Sequence, residues 1–479
     1  MMDGGVLIGG KWQAAASGAT LPVINPSDGE TFGKIARGAA EDIDRAVKAA
    51  HKAAEGAWGR MPAVERGRLL VKLGLAVLAS YDELVRLEAM DTGKPLKQAK
   101  ADITALARYL EFYGGAADKL HGDTIPYLDG YTVLTIREPH GVTGHIIPWN
   151  YPAQIGGRSI SGALAAGNAC VVKPAEDACL SILKLTDLAL AVGFPEGALN
   201  VVPGLGEEAG AALAGHPGID HISFTGSPEV GTLVQQAAAR HNGQVTMELG
   251  GKSPQLVFSD ADQEAALPFI TNAIIQNAGQ TCSAGSRLLV HEPIYKEFID
   301  AVAKRFEALK VGASDMDLDC GPLINKSQHE RVGGFISRAG KTGLDPRAAG
   351  TIAANAPKGG YFVAPTLFTD VPEDHELVRD EVFGPVMAAL PFKDEAEALR
   401  LANGTPYGLV AGVWTRDGGR QMRLARSIKA GQVFINNYGA GGGVELPFGG
   451  MKRSGFGREK GFEALYGFTT TKTIAIRHG

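Results

Sequence analysis

The sequence predicts an α/β fold with a buried parallel sheet, and three observations predict it. Short apolar runs, "GVTGHIIP", "ACVVKP", "LNVVPG", "HISFTG" and "VTMELGG", recur between residues 141 and 251, each closed by a turn. Helical patterns such as "CLSILKLTDLALAVG" and "PEVGTLVQQAAAR" lie between them, the rhythm of βαβ units. The 64 glycines exceed the usual share of ~7% and are spread through turns, which suits many short strand–helix connections.

The elements follow in order. "EDIDRAVKAAHKAAEGAW" places Ile43, Ala46, Val47 and Ala50 at helical spacing. The run from Pro62 to Gly93 continues helical, with Pro62 near a start and Gly93 as the stop. "ADITALARYLEFYGG" puts Ile103, Leu106, Ala107 and Leu110 on one face, and "YTVLTIREP" alternates like an exposed strand. The parallel-sheet runs come next. A second alternating region extends from about Pro254 to Ile435, with "PQLVFSD", "SRLLVHEP", "LVAGVWT" and "QVFINN" as strands. Its helices are "PIYKEFIDAVAKRFEALKVG" and "KSQHERVGGFISRAG"; the glycine-rich "YGAGGGVELPFGG" follows, and "KTIAIRHG" reads as a last strand. No repeat or flexible linker separates these regions, so the domains are expected to interleave.

Composition narrows the function. The chain has 479 residues, enough for two or three domains. Hydrophobic residues make up 45% and charged residues 21%, a soluble globular balance. A formal net charge of −5 argues against a nucleic-acid binder. No secretory signal and no apolar stretch of membrane-spanning length is visible, so no membrane partner is expected. Four cysteines in so long a chain form no disulfide framework, and none has metal-ligand spacing with histidine. A cytoplasmic location and no metal are the expectations.

Ligands of such sheets bind at the carboxyl ends of the strands. Those ends here carry Ile147-Pro148-Trp149-Asn150, Lys173-Pro174-Ala175-Glu176, Gly204-Leu205-Gly206 and Phe224-Thr225-Gly226-Ser227. Lys173 and Glu176 suit a ribose diol. Gly226 and Ser227, ahead of the helix at Pro228, can present N–H groups to a pyrophosphate. Taken one at a time, these are also ordinary strand-end and turn residues.

"NAGQTCSAG" places Cys282 among small residues. Alone it reads as a buried inert thiol. A thiolate attacks carbonyl carbon, and the oxyanion then formed needs donors such as an asparagine amide and the cysteine's own N–H. A neighbouring nicotinamide can remove hydride, leaving a thioester that a carboxylate-activated water hydrolyses. Asn150 and Glu248, both at strand ends, supply the missing amide and carboxylate.

From about residue 8 to the C-terminus the chain resembles the aldehyde dehydrogenase superfamily. Seven motifs in order carry the resemblance: "PWNYP", "VVKPAE", "FTGS", "MELGGKSP", "NAGQTCSAGSR", "EVFGPV" and "LPFGGMKRSGFGRE". It implies NAD-dependent oxidation of a small aldehyde to the acid, with Cys282 as nucleophile, Glu248 as deacylating base and Asn150 as oxyanion donor. It implies cofactor contacts from Ile147, Trp149, Lys173, Glu176, Gly206, Phe224, Gly226, Ser227, Leu249, Gln328, Glu381 and Phe383. Glu176 favours NAD over NADP, because a carboxylate on the 2′-OH repels a 2′-phosphate. Glu248 argues against the CoA-acylating branch.

The implied architecture is a Rossmann-like cofactor domain (1–118 and 140–249), an α/β catalytic domain (250–445) and a small β oligomerisation element (119–139 and 446–479). The last, built from strands near Tyr131–Glu138 and Lys472–His478, implies a homodimer or homotetramer. Tyr151, Ile155 and Arg158 are expected to line the substrate tunnel. Succinic semialdehyde dehydrogenases resemble this chain in carrying arginine at the position of Arg158, where a guanidinium can grip a distal carboxylate. The alternatives are a broad-specificity aliphatic or aromatic aldehyde enzyme, and an Arg158 merely paired with an acid such as Glu445. Ser159, where many relatives have lysine, leaves no lysine for a proton relay at that position. Gln276 stands where semialdehyde enzymes offer a second arginine, and "YGAGGGVE" suggests a loose tunnel mouth. A silent structural protein on this fold, or an acylating or esterase-like use of the thiol, are the rival classes; NADH absorbance and CoA dependence separate them.

Overall fold

The computed structural model describes residues 2–439 and 443–479. The expected parallel strands form the middle of an eight-stranded sheet. Its order is Gly455–Phe456, Gln244–Glu248, His221–Thr225, Val142–Ile147, Ala169–Pro174, Leu199–Val201, Val6–Ile8, Lys11–Gln13. From Gln244–Glu248 to Leu199–Val201 the strands are parallel. The strands at either edge pair antiparallel. Val142–Ile147 and Ala169–Pro174 are buried along their whole length. Both faces are covered, and this is why they read as continuous apolar runs without alternation.

Val142–Ile147 comes first in the chain among the parallel strands, yet it lies between Ala169–Pro174 and His221–Thr225. Strand order reverses there. The carboxyl ends on either side part, and the crevice so formed is where ligands of such sheets bind.

A seven-stranded sheet runs Ala348–Ala349, Thr366–Phe368, Val386–Phe392, Arg287–His291, Pro254–Val257, Val410–Trp414, Gln432–Ile435, parallel except at the first edge. Tyr131–Pro139 pairs antiparallel with Thr469–Arg477, Tyr131 opposite Arg477, and with Thr124–Ile125. The buried apolar residues divide accordingly. One cluster covers residues 6–249 and takes in Val444, Ala464, Leu465 and Phe468; two others cover residues 256–448. Among the described residues no helix is long and apolar enough to cross a membrane.

The structure departs from the sequence reading in three places. The helical run from Pro62 to Gly93 is two helices, Ala63–Ala79 and Tyr81–Thr92, broken at Ser80. Ser80 has φ −103° and ψ 20°, close to the bridge region of a turn, so the chain bends without losing its apolar rhythm. Gly93 does end the second helix, in the left-handed conformation at φ 76°. The first 36 residues, unassigned from sequence, supply Val6–Ile8 and Lys11–Gln13 and a separate sheet of Met2–Gly4, Thr31–Ala36 and Thr20–Ile24. The three-residue strands among them are below the length at which a period shows. Gly455–Phe456, expected within the small β element, instead pairs with Met247 and Glu248 on the large sheet.

Candidate active site

The loop bearing Cys282 is tightly specified. Asn277, Ala278 and Gly279 are successively left-handed, with φ 49°, 52° and 72°. Such a conformation costs a non-glycine residue about 1–2 kcal/mol, so the surroundings must hold it. Asn277 N–H donates to Gln98 Oε1 at 2.8 Å, and its side-chain amide donates to Asn150 O at 2.8 Å. Gln280 accepts from Ile324 N–H at 2.9 Å.

Glycine lets the neighbouring loops close in. A Cβ on Gly251 would lie 2.3 Å from Cys282 O, and one on Gly279 would lie 2.1 Å from Gly384 O. The turn after Glu248, the Cys282 loop and the segment around Glu381–Gly384 therefore meet at separations that no larger residue allows.

Asn150 is fixed at both ends. Its amide donates to Gln280 O at 3.0 Å, which aims it across the Cys282 loop. Its carbonyl accepts from Asn277 and, at 3.1 Å, from Lys94 Nζ. Lys94 is fully buried, bound to Asp102 and, at 3.2 Å, to Glu88. Helix Pro152–Ala166 follows, with proline in its first turn and Gly167 as its left-handed cap. It approaches helix Leu96–Ala116 so closely that a Cβ on Gly157 would lie 2.8 Å from Leu106.

Two cavities meet at Asn150 and Cys282. The larger, about 550 Å³, fills the crevice at the strand ends and has Glu248, Trp149, Gly226, Ser227, Gln328, Glu381 and Phe383 in its wall. The smaller, about 40 Å³, is walled by Tyr151, Ile155, Arg158, Phe448 and Lys460. It shares Gln154, Gln276 and Ser283 with an outer cavity of about 470 Å³ that reaches Gly443 and Glu445. The looser mouth expected from "YGAGGGVE" rests partly on residues 440–442, which lie outside the described residues.

Cys282 is half-buried, whereas Cys170, Cys179 and Cys320 are fully buried. Burial pushes its thiol pKa up to about 12; Arg158 works against this, and Glu381 and Glu248 add to it. Glu248 is 2% exposed. Neither of its carboxylate oxygens has a hydrogen-bond partner among the described residues. Burial, reinforced by Glu459 and opposed by Arg158, holds its pKa well above the ordinary carboxylate range.

The remaining expected cofactor residues divide into three groups. Ser227 caps helix Pro228–Ala239 by accepting from Val230 N–H, which leaves the helix N-terminus facing the large cavity. Gln328 donates to Phe383 O at 2.6 Å and so holds a residue at φ 56°; Trp149 meets the Phe383 ring edge-on at 5.4 Å. Glu381 accepts from Gly251 N–H at 2.8 Å; burial pushes its pKa to about 7, against that bond and the Lys252 charge.

Lys173, Glu176 and Gly206 lie on strand ends beyond the cavity wall. Lys173 donates to Glu176 at 2.6 Å, and Gly206 N–H donates to Glu176 at 3.3 Å. Burial opposes ionisation of Glu176, but the Lys173 charge and hydrogen bond together with the Glu176 and Gly206 N–H bonds outweigh it and hold the carboxyl below its usual range. Ile147, Phe224 and Leu249 are packed in the core, and their side chains are absent from the wall. The Phe224 ring sits 2.5 Å from where a Cβ on Gly226 would be, so it shapes the turn from behind. An anion-accepting helix end on the crevice, and a carboxylate with a lysine beyond its wall, fit a dinucleotide.

Arg158 does line the small cavity, but Glu445 is not its partner. Glu445 binds Arg108 at the outer cavity. Arg158 Nε forms an ion pair with Glu459 Oε2, and its guanidinium lies 5.0 Å over the Phe448 ring. Glu459 also accepts from Ser223 at 2.6 Å, and Ser223 from Ser159 at 2.9 Å. Glu459, Lys460 and Lys94 were not singled out from sequence. Glu459 stands inside the quoted "LPFGGMKRSGFGRE", and three charges in a row after glycine were the available signal.

The fold and site define an enzyme class, and comparison with known proteins agrees. The aldehyde dehydrogenase family pattern matches residues 12–474, and the chain belongs to that family. It is an NAD-dependent aldehyde dehydrogenase. The chain is similar to a hydroxyisobutyraldehyde dehydrogenase of Mycolicibacterium austroafricanum, 43% identical over 98% of this chain and 93% of that protein. The crystal structure of a Burkholderia cenocepacia protein superposes with TM-score 0.99 at 64% identity, covering 99% of this chain and 100% of the other. An NAD+ complex of the Bacillus cereus aldehyde dehydrogenase matches with TM-score 0.97 at 41% identity, covering 100% of this chain and 97% of that one.

Proposed function

We propose that the chain oxidises an uncharged aliphatic or aromatic aldehyde to its acid through a covalent intermediate on Cys282. The observation that carries this is the meeting of the two cavities at Cys282 and Asn150. A carbonyl entering on the side of Tyr151 and Ile155 reaches the sulfur while the crevice side stays available to the cofactor. Cys282 attacks and forms a thiohemiacetal. The Asn150 amide and the Cys282 N–H stabilise its oxyanion. NAD, bound along the crevice by Trp149, Ser227, Glu381 and Phe383 with its adenosine ribose at Lys173 and Glu176, supplies the hydride acceptor. Glu248 then deprotonates the water that cleaves the thioester. Glu248 lines the cavity and its oxygens have no hydrogen-bond partner among the described residues, which suits a group that must take a proton from a mobile water.

The uncharged aldehyde is preferred to succinic semialdehyde for a stated reason. A distal carboxylate needs an uncommitted guanidinium, and Arg158 is neutralised by Glu459. Tyr151, Ile155 and Phe448 give the small cavity an apolar lining. The segments 1–118 with 140–249, 250–445, and 119–139 with 446–479 are proposed as the three functional units. The paired strands Tyr131–Pro139, half-buried, and Thr469–Arg477, mostly exposed, are proposed as the surface of a homodimer or homotetramer, in the cytoplasm.

The test is NADH formation by wild type and by Cys282→Ser across neutral and carboxylated aldehydes. Wild type should turn over and C282S should lose at least about 10³-fold in kcat. A C282S enzyme of near wild-type activity overturns the covalent route. A kcat/KM higher for succinic semialdehyde than for butanal overturns the substrate preference.

A further inference from the structure

We propose that Lys94 is a positioning residue for the oxyanion site: its ammonium, bound between Glu88 and Asp102, holds the Asn150–Tyr151 peptide against the Cys282 loop and so aims the Asn150 amide. The inference rests on the reading of Asn150 as the oxyanion donor.

Lys94 is 1% exposed, Glu88 0% and Asp102 2%. An ammonium has three hydrogens to donate, and here each meets an acceptor. One goes to Asp102, one to Glu88 Oε1 at 3.2 Å, and one to the backbone carbonyl of Asn150 at 3.1 Å. The two acids stand on helices Tyr81–Thr92 and Leu96–Ala116. The Asn150 carbonyl is therefore tied to packed helices rather than to its own loop. The ammonium also stands 4.3 Å from the centre of the Tyr151 ring.

Residues 150 and 151 are the ones that touch the Cys282 loop. The Asn150 amide donates to Gln280 O at 3.0 Å, and the Tyr151 hydroxyl lies 2.7 Å from Thr281 Oγ1. The segment bearing Lys94 reaches the same loop directly. Gln98 Oε1 accepts from Asn277 N–H at 2.8 Å, and the Asn277 side chain donates to the Asn150 carbonyl that Lys94 binds. The turn before Lys94 has no slack. A Cβ on the left-handed Gly93 would lie 2.6 Å from Pro322, and one on Gly321 would lie 2.2 Å from Gly93 O.

A buried cation with two carboxylates is a poor source of stability, because apolar residues of similar volume often serve as well or better. Burial pulls the Lys94 pKa down, but Asp102 and Glu88 outweigh it and hold the side chain charged, above the ordinary lysine value. What the trio supplies is position. One N–H of the Asn150 amide is engaged by Gln280 O, which leaves the other for the oxyanion. A displacement of about 1 Å at such a group can cost about 10²-fold in rate.

The experiment neutralises the trio as a whole. Lys94→Met alone would strand two buried carboxylates, so it is combined with Glu88→Gln and Asp102→Asn. First-turnover NADH formation from butanal is measured at saturating NAD, per chain that binds NAD by tryptophan quenching. The triple variant should melt within about 5 °C of wild type. Its maximal rate should fall at least about 10-fold, while the butanal concentration for half-maximal rate changes by less than about 3-fold. On an Asn150→Ala background the same three substitutions should change the rate by less than about 3-fold, because the amide they aim is already gone. A lysine that only supports the fold would lower the rate equally on both backgrounds. The inference is overturned if the triple variant keeps the wild-type rate, or if the losses on the two backgrounds are equal. N150A at the wild-type rate overturns the oxyanion reading itself, and the inference with it; that outcome is read without touching Lys94. If the triple variant does not bind NAD, Lys94→Met with Asp102→Asn is read in its place by the same criteria.

Discussion

The two cavities that meet at Cys282 are built in opposite ways. The crevice on the cofactor side is made of strand ends, glycine turns and a helix N-terminus. The ion pair beyond its wall, Lys173 with Glu176, joins residues three apart in one turn. The aldehyde side is made of side chains brought from distant segments: Tyr151 and Arg158 from one helix, Phe448 and Lys460 from the C-terminal region. Its ion pair, Arg158 with Glu459, joins segments far apart in sequence and is buried on both sides. Backbone geometry survives most substitutions. A cavity walled by side chains from distant segments changes with each one, so the side of Tyr151 and Arg158 is where the proposed substrate range would be set.

The largest expected effect tests the boundary itself. Glu248→Gln should lower steady-state kcat by about 10²–10⁴-fold while a first-turnover burst of NADH persists, because only deacylation needs the base. In wild type, kcat should rise with pH through the Glu248 pKa, which burial places above the usual carboxylate range. That acid limb should vanish in E248Q; a limb that persists assigns it to another group.

A second test breaks the aldehyde side alone. Arg158→Met strands Glu459 as a buried charge and should cost about 3–5 kcal/mol in urea unfolding. The double variant Arg158→Met with Glu459→Met should recover most of that loss. If the two single losses add, the residues are not acting as a pair. The smallest effect is at the mouth. Arg108 and Glu445 are 44% and 51% exposed, so Arg108→Ala should change stability by no more than about 1 kcal/mol. A larger change in the same unfolding measurement would extend the buried network outward.

Much of this was legible from sequence. The runs from "GVTGHIIP" to "VTMELGG" became the parallel strands, with the expected loops at their ends. Asn150, Glu248 and Cys282 stand in one wall, as their chemistry required. The three-residue strands before residue 14 were not legible, because their pairing with Leu199–Val201 is non-local and their length hides any period. Nor was the partner of Arg158. Glu445 and Glu459 are both acids near the same glycine-rich segment, and only the fold decides which one reaches the guanidinium.

The sequence by itself determined the fold class and the family, and it singled out Cys282, Glu248 and Asn150 as the proposed reacting side chains. Periodicity and turn chemistry are local properties, and a loop motif carries its own geometry. Tertiary structure alone decided that Arg158 is neutralised by Glu459, that Lys460 walls the small cavity together with Cys282, and that Lys94 anchors Asn150. Each of these brings a buried charged side chain against residues far apart in the chain, and such arrangements exist only once packing has excluded water from them.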